Sequence, residues 1–366
     1  MSVHLPLLTT SRLITYRRCA REEKLRYQDG LVTSRSAALD FGTLVHGALE
    51  RWWLGTLADV EQWLAESKAD PYDVAKCWAL MRGYEAMYAD DRAKYEVIGV
   101  EVEFRAPLLN PATGAASKTW HLAGKIDVLV RERSTGRKFL IEHKTSAEDI
   151  TPGASYWVRL RMDGQISCYF VGAQSLGHDV EGCVYDVIGK PGQHPSAVPL
   201  LDVDGIEIVL DANGDRVKVK KGDRWRRTGD AALGYVLQTR PETAEEYGER
   251  IFAAIAESPE RYFQRSVVVR LEDELREWQL DAWQQGAAMR DARRLGIAIR
   301  NPESCTRYGS LCGYLPLCAG EASADSYQRI EWKHPELTPQ FAAMTNEESS
   351  NGNAPSSEET GTTAAA

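Results

Sequence analysis

The segment that most narrows the possible folds is WHLAGKIDVLVRERSTGRKFLIEHKT, residues 120–145. Two runs of alternating apolar and polar residues flank Ser134-Thr135-Gly136, a pattern that predicts two antiparallel strands around a turn. With the turn centred between Ser134 and Thr135, residues whose numbers add to 269 face each other, which sets Asp127 opposite Glu142. Directly opposed Cβ atoms lie about 4.5–5.5 Å apart, so the two carboxylates can converge on one hard divalent cation. Lys144 falls on the same face by the period of two. The neighbouring positions Ile126, Val128, Val130, Phe139 and Ile141 are apolar. On residue types alone, two acids and a lysine are also compatible with a solvated ion-pair patch.

The remaining pattern predicts an α/β fold with a central mixed sheet and helices on both faces. An extended lead and a basic helical segment run to Tyr27. Helical spacing recurs over 41–55, 71–95 and 155–176, and strands are expected over 96–106 and 180–188. Asn213-Gly214 predicts a hairpin within 206–227. Two late helices are expected near 242–257 and 271–297. We expect one domain over 1–318, an extension over 319–337, and an acidic tail over 338–366 too polar to order itself.

Of the 366 residues, 43% are hydrophobic, enough for a sizeable core. The net charge of −9 weakly opposes a nucleic-acid partner. However, Glu321, Asp325, Glu331, Glu336, Glu347, Glu348, Glu358 and Glu359 against Arg329 and Lys333 place −6 beyond residue 318, so the first 318 residues carry only −3. No apolar run reaches the length of a membrane span, and no secretory leader opens the chain. No membrane partner and a cytoplasmic location, in a bacterial or phage-infected cell, are therefore expected. Seven cysteines, with Cys305, Cys312 and Cys318 clustered and Cys19, Cys77, Cys168 and Cys183 scattered, suggest a metal centre rather than disulfides.

G-K-I-D, a turn, and then I-E-H-K resemble the G-x-x-D and E-x-K elements of the PD-(D/E)XK nucleases, whose core is restriction-endonuclease-like. FGTLVHGALE resembles the G-x-x-x-H-x-x-L-E helix of their RecB-like branch through Gly42, His46, Leu49 and Glu50, and QISCY resembles its Q-x-x-x-Y through Gln165 and Tyr169. This resemblance covers about residues 11–318. It implies Mg or Mn held by His46, Asp127, Glu142 and the backbone carbonyl of His143, with Lys144 orienting or activating water. Gln165 and Tyr169 would position the strand, while Glu50 and Gly124 would be structural, Gly124 because a backbone passes close by.

Members with a cluster, including AddB-type and CRISPR-associated exonucleases, carry one cysteine before these motifs and three after them. The resemblance thus implies a structural 4Fe-4S cluster on Cys19, Cys305, Cys312 and Cys318, with zinc as the rival occupant. Cys77 and Cys183 read as buried inert thiols. The implied activity is hydrolysis of DNA, exonucleolytic on single-stranded ends, in recombination, repair or phage DNA processing, with a recombination or annealing protein as a further partner. A non-catalytic recombination scaffold and a CRISPR-adaptation trimming enzyme are the alternatives. Lys218, Lys220, Lys221, Arg224, Trp225, Arg226 and Arg227 suit either a single-strand groove or a solvated hairpin. Arg17, Arg18 and Arg21, and Arg159 and Arg161, are further candidate contacts.

Overall fold

A computed structural model describes residues 5–33, 37–220, 222–307 and 310–338. Its centre is a six-stranded mixed sheet built on one long strand, β4 (Ala116–Glu132). Along one side of β4 runs β3 (Tyr95–Leu109), antiparallel. The other side is shared: β1 (Leu7–Leu8) pairs in parallel with His121 and Leu122, and β5 (Lys138–Ser146) pairs antiparallel with Val128–Arg131. The intervening stretch, residues 123–127, is left without a strand partner on that side. Beyond β5 follow β6 (Gly182–Gly189), parallel to it, and β7 (Phe263–Val268), antiparallel to β6.

Helices cover both faces. Phe41, Leu44, Val45, Ala48, Leu49 and Trp52 recur at helical spacing along Ala37–Leu54, and with Pro71–Tyr88 and Ala244–Glu257 they bury Val128, Val130, Ile141 and Val184. Gly164–Ser175 and Glu272–Leu295 cover the opposite face over Ile126, Leu129, Leu140 and Tyr185. Near the N-terminus, β2 (Leu31–Val32) pairs with a strand at Gln328–Arg329.

The register expected from the turn holds from Val128↔Ile141 to Arg131↔Lys138. Several boundaries differ. The 71–95 helix ends at Tyr88 and resumes only as Asp91–Lys94. The 155–176 helix divides into Ser155–Val158, a 3-10 turn at Arg159–Met162, and Gly164–Ser175. The physical reason is Asp163: its backbone is extended (φ −71°, ψ 106°) and its side chain accepts from the Gln165 N–H, capping a new helix. The 206–227 hairpin shrinks to Val209–Leu210 against Arg216–Val217, followed by a short helix at Arg224–Thr228. The acidic tail from residue 339 onward lies outside the described residues, as does Lys221.

Candidate active site

Where the β4–β5 ladder ends, the strands part. Asp127 and Glu142 are not a ladder pair, because the Asp127 side chain takes the place of a backbone acceptor: its Oδ2 accepts the His143 N–H at 2.8 Å. On the β3 side, Val100 pairs with Val128 and Val102 with Ile126, but Glu101 and Asp127 make no pair between them. Glu101 has φ +54°, the one non-glycine positive φ among the described residues. The sheet is thus locally unzipped on both sides of Asp127.

Two cavities meet there. The larger, about 530 Å³, is lined by residues including His46, Glu50, Glu101, Lys144 and Lys190. The smaller, about 170 Å³, includes Gln165, Tyr169 and Glu336. Lys125 and Asp127 line both. Glu142 is almost wholly buried. One of its oxygens pairs with the Lys144 ammonium, and the other, Oε2, is buried without a hydrogen-bond partner. Lys144 also donates to Gln165 Oε1 at 2.9 Å, and Gln165 Nε2 donates to the Tyr169 hydroxyl at 2.6 Å. His46 Nδ1 stands 3.7 Å from Asp127 Oδ2. The structure therefore sets His46 beside Asp127 and links Glu142, Lys144, Gln165 and Tyr169 in one chain of contacts, with Glu142 itself outside the lining of both cavities.

Burial, and secondarily the Asp127 charge, pushes the Glu142 carboxyl up to about 8. Burial would lower Lys144, but Glu142 and Asp127 more than offset it and hold the ammonium above its ordinary value. Burial takes His46 down to about 4 despite the attraction of Asp127, leaving a neutral imidazole with a lone pair to offer. A buried, half-satisfied carboxyl group near a second acid and a neutral imidazole supplies the donor types that a hard divalent cation takes, but not their arrangement. Among the described residues, no three His, Cys, Asp or Glu side chains stand in a ready-made ligand arrangement.

The His143 side chain points to the other face of the sheet. Its Nε2 accepts from Trp53 Nε1 at 2.9 Å, and its Nδ1 lies 3.0 Å from Asp186 Oδ2. Asp186, fully buried, also accepts from the Tyr84 hydroxyl at 2.5 Å and lies 3.1 Å from Arg265 Nε. Arg265 reaches on to Asp91 at 2.5 Å. No sequence pattern flagged this network, whose members Trp53, Tyr84, Asp91, His143, Asp186 and Arg265 come from six separate elements. Gly124 is close-packed, although not against a backbone: a Cβ there would stand 2.7 Å from the Phe104 ring. Glu101 and Lys125 were likewise missed, although Lys125 sits inside the G-K-I-D motif.

Cys19, Cys305, Cys312 and Cys318 line one cavity of about 560 Å³, all as free thiols. Cys77 and Cys183 are buried, as is Cys168. In the basic segment, Arg226 pairs with Asp223 and Arg227 with Glu207, while Trp225 lies against Tyr235 with ring centroids 5.0 Å apart. Its described residues line neither cavity at Asp127. Arg18 pairs with Glu22, and Arg159 with Glu148.

A mixed sheet opened at a buried acid, with a second acid and a lysine on the next strand, is consistent with a cation-dependent phosphodiester-cleaving enzyme. The model of the PD-(D/E)XK nuclease superfamily matches residues 7–319, and the chain belongs to that superfamily. No curated protein matches the chain. A solved structure titled "Crystal structure of SSO0001" aligns with 51% of this chain and 65% of its own, at 15% identity and a TM-score of 0.23. This chain thus spans slightly under two thirds of that structure's length, and the assignment rests on the family match. Among the described residues no helix is long and apolar enough to cross a membrane.

Proposed function

We propose that this nuclease is a magnesium- or manganese-dependent exodeoxyribonuclease of the RecB-like branch, acting on single-stranded ends during recombination, repair or phage DNA processing. The observation that carries this reading is Glu142: a buried carboxylate with one oxygen on Lys144 and the other unpartnered, beside Asp127. His46, Asp127, Glu142 and the carbonyl of His143 would hold the cation, which when bound polarises the phosphoryl oxygen and lowers the pKa of its water. Lys144, fixed between Glu142 and Gln165, places a positive charge where the attacking oxygen and the phosphate become more negative. The Gln165–Tyr169 hydrogen bond presets both side chains to receive the strand next to that phosphate.

Cys19, Cys305, Cys312 and Cys318 would bind a structural 4Fe-4S cluster, with zinc as the competing occupant. Their common cavity supports this reading, because four cysteines from the two ends of the domain line one space. Such a centre would tie the ends together, so that metal binding adds to folding stability.

The test is anaerobic purification, metal analysis, and incubation with end-labelled single- and double-stranded DNA under magnesium, manganese or chelator. Asp127→Asn and Lys144→Ala variants run beside the wild type. Metal-dependent shortening from one end by the wild type alone is expected. Intact protein that binds DNA and never cuts it with either metal would favour the recombination scaffold.

A further inference from the structure

The two cavities at Asp127 differ in what lines them. His46, Lys144 and Lys190 belong to one, Gln165 and Tyr169 to the other, and only Lys125 and Asp127 belong to both. A strand that occupies both must therefore pass Lys125. This side chain is held in an unusual way. By register it faces Glu103 across the β3–β4 ladder, but Glu103 is engaged by the N–H and hydroxyl of Thr338, the latter at 2.8 Å. The Lys125 ammonium pairs instead with Glu101.

Glu101 reaches it from a left-handed backbone (φ +54°), a conformation that side-chain-bearing residues rarely adopt and that persists only where the surroundings impose it. The strained position is the one opposite Asp127, where the ladder is interrupted. Glu101, Asp127 and Glu103 together offset the burial of Lys125 and keep it cationic. Glu50 also lies in the larger cavity, so the acids there would repel phosphate if the lysines were not positioned among them.

We infer that Lys125 contacts a backbone phosphate of the bound strand at the junction of the two cavities, and that Glu101 is the residue that positions it. This rests on the nuclease reading above and adds a substrate-contacting residue to it. The unusual backbone at Glu101 then has a role: it presents the carboxylate to Lys125 at the point where the strand crosses Asp127.

The experiment measures binding of a fluorescein-labelled oligodeoxythymidine by anisotropy over a series of salt concentrations, with calcium in place of magnesium. Each phosphate contact to a single strand contributes about −0.7 to the slope of log affinity against log salt. Lys125→Met, which keeps the apolar stem, is expected to make the slope shallower by about 0.7, and Lys125→Arg to restore it. Lys68→Ala, on an exposed turn, controls for net charge. Glu101→Gln is expected to keep the slope and, in a separate cleavage assay with magnesium, to raise KM for the oligonucleotide severalfold, with the loss falling on KM rather than kcat. An unchanged slope for a folded Lys125→Met, or an unchanged KM for Glu101→Gln, overturns the corresponding assignment. A wild type that binds and cuts no DNA sinks the nuclease reading, and this inference with it.

Discussion

Trp53 donates its indole N–H to Nε2 of His143 at 2.9 Å, so the imidazole must accept there and carry its proton on Nδ1, which faces Asp186 at 3.0 Å. His143 therefore anchors β5 from behind, while on the opposite face Lys144 lines the larger cavity and Glu142 is buried beneath it, paired with Lys144. Asp186 in turn is held well below the ordinary carboxylate range: burial would raise it, but Arg265 and the His143 hydrogen bond prevail.

Removing Asp186 leaves the half-buried Arg265 with Asp91 as its remaining acid. Asp186→Ala is expected to cost about 3–5 kcal/mol of stability, as for other broken buried ion pairs. Guanidinium denaturation of the two proteins measures it, and a difference below about 1 kcal/mol would show that the network is dispensable.

Asp127 has two separable tasks. Asp127→Asn can still accept the His143 N–H, whereas Asp127→Ala strands that donor at a cost of about 1–3 kcal/mol. Both variants should lose metal-dependent cleavage, but only the alanine variant should melt substantially lower. Lys144→Ala should lower kcat by about 10²–10³, the range seen when one stabilising donor is removed from a transition state.

The Phe104 ring is caught between two glycines. A Cβ at Gly172 would stand 2.5 Å from Phe104 Cε1, and one at Gly124 would also come within 3.2 Å of Tyr169. Gly172→Ala is thus expected to destabilise by about 1–3 kcal/mol through overpacking. Because Phe104 packs edge-on to Tyr169, with centroids 6.1 Å apart, a fall in activity should accompany it. Equal melting temperatures for the variant and wild type would refute the packing argument.

Glu242 supplies an acid-sensitive tie. Hydrogen bonding to Arg250, aided by the Ser196 N–H, depresses its carboxyl to about 2. A folded-state value below the unfolded one means that the stabilisation is complete above about 4.5 and is lost as pH falls toward 2. The melting temperature of Glu242→Gln should approach that of wild type over that window, and parallel curves would contradict the assignment.

How legible was this in the sequence? The β4–β5 register was, from Val128↔Ile141 to Arg131↔Lys138, because Ser134-Thr135-Gly136 fixes the turn and the apolar alternation fixes the faces; the expected pair Asp127–Glu142 lies just past the end of that ladder and does not form. The grouping of His46, Asp127, Glu142, Lys144, Gln165 and Tyr169 followed from motif order. The split at Asp163 did not, since apolar spacing continues across it and only a cap marks the break. Nor did Glu101, whose neighbours Val100 and Val102 alternate like any strand. Its backbone conformation comes from tertiary context, and local pattern carries no trace of it.

The pairing of β2 with Gln328–Arg329 has a consequence for synthesis. Leu31 also receives the Tyr314 hydroxyl, and Arg21 N–H bonds Ile299, so residues 21–32 take these partners from the stretch 299–329, whereas β1 already has its partner in β4. At about 5–20 residues per second on a ribosome, residues 21–32 wait on the order of tens of seconds for them, and a chain that stops before Ile299 lacks all three contacts.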